Sequence, residues 1–202
     1  LIIILTSITA CANDKTLKQD TIAAEQLSRQ HSELGYKRSD LDKNCKTGAI
    51  ELVAQQQELS VTGKPRRYFL YGETPRATPI ICADPGDTLN ITLKNTLDPL
   101  DWEAIESLDP DVTRTNDKAD QSSQDAMEKK SNITNLHTHG LHVGPRKNRD
   151  NVMLKIGKDK QMTYEIPIVS DHAPGTHWYH AHLHGATALQ VQGGMAGALI
   201  VR

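Results

Sequence analysis

Seven of the nine histidines fall in two short stretches. The first is Leu136-His137-Thr138-His139-Gly140-Leu141-His142. The second is Gly175-Thr176-His177-Trp178-Tyr179-His180-Ala181-His182-Leu183-His184-Gly185. Each stretch contains a His-x-His pair. In an extended strand, residues i and i+2 point to the same face, so the two imidazoles of a pair stand about 6–7 Å apart along one side. One pair can present two ring nitrogens to one metal ion, or one to each of two neighbouring ions. Two pairs on adjacent strands supply four. Imidazole suits zinc, copper, iron and nickel, so the residues point to a metal centre and leave its identity open.

The elements that must carry these pairs are strands. Residues 50–54, 67–72, 78–83 and 88–93 read as strands, the last alternating as a half-buried strand should. Pro85-Gly86-Asp87 supplies a turn between the last two, because Pro fixes φ and Gly tolerates a positive one. Residues 135–143, 152–156, 162–168, 178–182 and 196–201 continue the pattern. Many short strands, Gly/Pro turns and no convincing long helix predict an all-β sandwich. Residues 98–130 break the texture with ten acidic residues against four basic ones. They read as a solvated loop, with a short helix around 102–108.

The residues around the histidines narrow the reading. The runs 135–143, 175–185 and 190–201, with Pro79-Ile80-Ile81 and residues 84–97 upstream, resemble the first domain of multicopper oxidases, the family of laccases, cuprous oxidases and related ferroxidases. The resemblance covers about residues 50–201 and rests on several motifs in the family's order. It implies a cupredoxin-like Greek-key β-sandwich and copper as cofactor. His137 would bind a type 2 copper, and His139, His180 and His182 the type 3 pair of a trinuclear cluster. Asp150 resembles the acid of the family's Asp-Gly, which delivers protons to oxygen near the type 2 copper, although Asn151 stands in place of that Gly. Trp178 and Tyr179 read as packing residues that fix the second His strand. His142, His177 and His184 read as neighbours of the site or surface groups, and His172 and His31 as solvated.

The implied activity is one-electron oxidation of a small donor coupled to reduction of dioxygen to water. Phenols, cuprous ion and ferrous ion all remain open as donors. The type 1 copper is expected outside this chain, since no His lies near Cys45 or Cys82 in sequence and a blue-copper site needs a thiolate with two His. The resemblance therefore implies downstream cupredoxin domains as partners, in the same protein or another subunit. The chain is expected to be an N-terminal piece of a longer protein, inactive alone. The rival readings are a non-enzymatic copper-binding module, a copper-free cell-envelope scaffold of the same fold, and a copper nitrite reductase, whose first domain carries a type 1 Cys that the second His motif here lacks.

The 202 residues, 37% hydrophobic and 24% charged, suffice for one domain with appendages. A net charge of −2 gives no basic excess for nucleic acid. Residues 1–11 read as a truncated secretory signal, in which Ile8-Thr9-Ala10-Cys11 resembles a bacterial lipobox. Residues 12–47 read as a polar tether with a short helix at 21–27, and residues 48–202 as the domain with an acidic insertion at 98–131. The expected location is periplasmic or outer-membrane-anchored, with membrane contact only through a lipid on Cys11. In an oxidising compartment Cys45 and Cys82 can form a disulfide; two free buried thiols are the alternative.

Overall fold

A computed structural model describes residues 45–60, 65–72, 78–108 and 118–202. The signal with Cys11, the helix at 21–27 and His31 lie outside them, as does nearly all of the tether. Residues 45–202 form one compact unit.

Two sheets face each other across a shared apolar core. One has the order β3-β2-β5-β7, from Pro65–Leu70, Ala49–Ser60, Thr88–Asn95 and Lys160–Pro167. The other has the order β1-β4-β9-β8-β6, from Cys45–Lys46, Ile80–Ala83, Ala196–Val201, Gly175–His180 and His137–His139. Period-2 alternation assigns the faces. Ile50, Leu52 and Ala54 of β2, Leu89, Ile91 and Leu93 of β5, and Tyr164 and Ile166 of β7 point inward and are buried. β5 runs parallel to β2 and antiparallel to β7, with Ile91 opposite both Ile50 and Tyr164. The result is the all-β sandwich that the alternation predicts.

The expected strand at 135–143 shrinks to three residues. Gly140 has φ +90° and turns the chain at once, and a Cβ there would lie 2.7 Å from His177 Nδ1. The expected strand at 152–156 does not form; only Ile156 pairs, with Thr134. The Asn135 side chain takes the carbonyls of Val152 and Leu154 in place of a neighbouring strand. The second His strand begins and ends earlier than expected, at Gly175 and His180, so His182 lies beyond it.

The acidic insertion is only partly a loop. Its expected short helix is present as α1, Trp102–Leu108, with Asp101 Oδ1 accepting the Ala104 N–H and Trp102 and Ile105 buried in the core. A second helix, α2, Lys118–Lys130, was not expected. Its Met127 packs against the core, and Lys130 Nζ donates to the His184 carbonyl in the second His motif. α3, Thr187–Gln192, follows that motif. No described helix is long and apolar enough to cross a membrane.

Cys45 and Cys82 are bonded, tying β1 to β4 across 37 residues of sequence. For a loop of that size the chain-entropy argument assigns the cross-link about 3–4 kcal/mol. Urea unfolding of Cys45→Ala/Cys82→Ala should show a loss near that size. An unchanged midpoint would mean that the bridge constrains nothing.

Candidate metal centre

β6 lies antiparallel on β8 with His137 opposite His180, Thr138 opposite Tyr179 and His139 opposite Trp178. His137, His139, Trp178 and His180 therefore share one face, while Thr138 and Tyr179 turn into the core. The His137 ring centroid lies 5.7 Å from that of His139, 5.1 Å from His180 and 5.0 Å from His182. Ligand nitrogens of His137, His139 and His180 all fall within 4.8 Å of one another, close enough to hold a single ion. His182 stands beside this group, its ring 5.7 Å from His180. All four predicted ligands thus come together from two strands and one strand end.

Hydrogen bonds set which nitrogen each key ring offers. His137 Nδ1 lies 2.9 Å from Asp150 Oδ1, and the same oxygen accepts the Thr138 N–H at 3.0 Å. With a carboxylate at Nδ1 that nitrogen carries the proton, and Nε2 keeps a free lone pair. His180 Nδ1 donates to the Ala181 carbonyl at 2.9 Å. Its Nε2 is buried and has no hydrogen-bond partner among the described residues. A buried nitrogen without a partner is costly, unless its lone pair is meant for an ion. Burial also pushes the His180 pKa below the ordinary 6.5; the Ala181 bond opposes this, and the nearby His137, His182 and His139 add to it. The imidazole is thereby kept neutral, the state a metal ligand requires.

Trp178 is stacked on His180 at 4.1 Å and 25°, and lies 5.2 Å from His139. It shields the ligands from one side while staying 39% exposed. Tyr179 plays the expected packing part: its fully buried ring leaves no room for a Cβ at Gly197, and its hydroxyl donates to the Pro79 carbonyl. Tyr71 and Tyr164 are also fully buried. Tyr71 donates to the Asn135 carbonyl, and the Tyr164 hydroxyl accepts the Leu136 N–H. Burial raises the Tyr164 pKa to about 12, so the phenol stays neutral. These bonds fix the chain just before His137, and a sequence with few aromatics gives no hint of them.

His172 is not solvated as expected; it is buried. Its Nδ1 bonds the Ala173 carbonyl and its Nε2 accepts the His142 N–H. The Nε2 bond holds the turn after His139. The His142 and His177 rings lie 5.0 and 5.2 Å from it. This second imidazole cluster buttresses the ends of the two His strands.

Residues 116–202 match the family model described as multicopper oxidase. That part of the chain is similar to the multicopper oxidase family. Solved structures agree. A multicopper oxidase from Campylobacter jejuni, described as a metallo-oxidase, matches with a TM-score of 0.53 and 25% identity, over 79% of this chain and 26% of that one. A variant multicopper oxidase of Aquifex aeolicus matches with a TM-score of 0.53 at 19% identity, over 79% and 28%. A laccase-like multicopper oxidase from Ochrobactrum sp. matches at 0.52 and 20%, over 78% and 28%. The last two show the shared fold alone, which is cupredoxin-like. The chain spans about a quarter of the length of these structures. Compared with curated protein sequences, it matches none. The multicopper oxidase family implies copper, and the donors present fit it: a cluster of imidazoles, one with a buried, unpartnered Nε2.

The lowered His180 pKa has a consequence for the metal-free protein. The unfolded chain takes up that proton more readily, so stability is full above the ordinary value of 6.5. It declines as pH falls below that value toward the folded one. Urea midpoints should therefore be lower at about pH 5 than at about pH 7.5, and His180→Gln should shrink the difference. An identical pH dependence in wild type and variant would contradict this origin.

Proposed function

We propose that the chain is the copper-binding first domain of a longer multicopper oxidase, supplying half of the ligands of a type 2/type 3 trinuclear cluster. His137 serves the type 2 copper, and His139, His180 and His182 serve the type 3 pair. The observation that carries the reading is the buried, unpartnered Nε2 of His180 among the rings of His137, His139 and His182. When bound, copper supplies the redox chemistry, taking single electrons from a donor and passing them to dioxygen.

The protein's own part is orientation, neutrality and proton supply. The Ala181 carbonyl and Asp150 fix the rings of His180 and His137. Trp178 covers one flank of the ligands. Reduction of dioxygen to water consumes protons, and Asp150, held beside the cluster by His137 Nδ1, is a carboxylate that could supply them. The type 1 copper and the remaining ligands belong to further cupredoxin domains, and the donor is a small phenol or a cuprous or ferrous ion. Export with a lipid on Cys11 completes the proposal. The Cys45–Cys82 bridge supports it, because disulfides persist in oxidising compartments.

Two measurements test this. The 202-residue chain should take up copper with a pH dependence near imidazole ionisation and show no intense blue band. A blue colour would place a type 1 site where none is proposed. In the full-length protein, Asp150→Asn keeps an acceptor oxygen for His137 and Thr138 but removes the titratable group. Copper content should stay whole, while turnover falls by about 10²–10⁴-fold. Wild-type turnover at full copper loading would reduce Asp150 to an anchor for His137.

A further inference from the structure

Asn135 is fully buried two residues before the first ligand, and its side chain uses both amide donors and one lone pair of its oxygen. Its Oδ1 accepts the backbone N–H of His182 at 2.8 Å. Its Nδ2 donates to the Val152 carbonyl at 2.7 Å and the Leu154 carbonyl at 3.2 Å. The amide orientation is fixed by these partners: reversed, an NH2 would face an N–H, and an oxygen would face two carbonyls. One side chain thus joins three segments that are distant in sequence. They are the run leading into His137, the backbone of His182 beyond the end of β8, and the turn that follows Asp150.

We propose that Asn135 is a positioning residue for copper, and that it places His182 beside the other three imidazoles. The reasoning rests on the copper-binding reading above. His137, His139 and His180 are set by the ladder between β6 and β8, whereas His182 lies past the last pair of that ladder. The Asn135 bond is what returns its backbone toward the first His strand. The two donor bonds hold residues 152 and 154, so the loop carrying Asp150 is fixed to the same point. Without Asn135, the three ladder-held imidazoles keep their places, while His182 and the Asp150 loop lose their common anchor.

Asn95 provides an internal comparison. It is equally buried and makes the same number of side-chain bonds: Nδ2 to the Asn132 and Ile156 carbonyls, and Oδ1 from the Leu97 N–H. None of them reaches a ligand. The test uses the 202-residue chain as wild type, Asn135→Ala and Asn95→Ala, titrated with cupric ion and followed by electron paramagnetic resonance and by amide hydrogen exchange. Asn135→Ala should weaken copper binding by about 10–100-fold, the usual effect of removing a group that orients ligands. It should also alter the nitrogen hyperfine pattern and speed exchange at the His182 amide. Asn95→Ala should lose stability with the copper signal unchanged. If Asn135→Ala fails to fold, Asn135→Asp keeps the acceptor for His182 but loses both donors. It should preserve His182 protection while the turn at 152–154 exchanges faster. Wild-type affinity and spectrum in the Asn135 variant would overturn the proposal, as would an equal copper loss in Asn95→Ala. A wild-type chain that binds no cupric ion would instead overturn the copper reading, and the exchange data would then decide alone whether Asn135 holds His182.

Discussion

The antiparallel register of β6 on β8 puts His137 opposite His180, and the rest of the site depends on it. A slip by one residue would turn every imidazole into the core and bring Thr138 and Tyr179 to the surface. The register is held from behind. Tyr179 fills the space over Gly197 on β9, and Thr138 lies opposite Tyr179. Burial of Tyr179 on the inner face is thus the same event as presentation of His137, His139 and His180 on the outer one. Hydrophobic burial, which is non-directional, becomes a directional metal site through the two-residue period of the strand.

Register alone does not aim a ring. Each key imidazole is oriented by a bond at Nδ1, to Asp150 for His137 and to the Ala181 carbonyl for His180. Burial then keeps His180 neutral. The second cluster, His142, His172 and His177, closes the turn at Gly140 and packs against it; His177 Nε2 is likewise buried without a partner among the described residues. The insertion contributes as well. The C-terminal end of α2 reaches the second His motif through Lys130 and the His184 carbonyl, so a segment that reads as solvated abuts the site.

Much of this was legible in the sequence where the signal is local. The alternation of β2, β5 and β7 and the two His-x-His pairs are period-2 patterns, and they predicted both the sandwich and the four clustered imidazoles. α1 was legible as well, since Trp102 and Ile105 stand three apart, the spacing of one helix face. What stayed hidden is carried by contacts between distant residues. Asn135 bonding His182, 47 residues away, leaves no periodic trace. The failed strand at 152–156 has the same cause, because a side chain from elsewhere claims its carbonyls. His172 looked like a solvated residue in a polar loop, and only the fold reveals that the His142 N–H seeks its Nε2. α2 lies in a polar stretch, and Met127, which packs against the core, gives too little periodicity to announce a helix.

The central claim is that the fold fixes the proton of His137 and His180 on Nδ1 and leaves Nε2 free for copper. Long-range proton–nitrogen correlation spectra of the metal-free chain, with nitrogen-15 in its histidines, report this directly at neutral pH. The account predicts a proton on Nδ1 of both residues. A neutral ring protonated at Nε2 instead, at either residue, would contradict it.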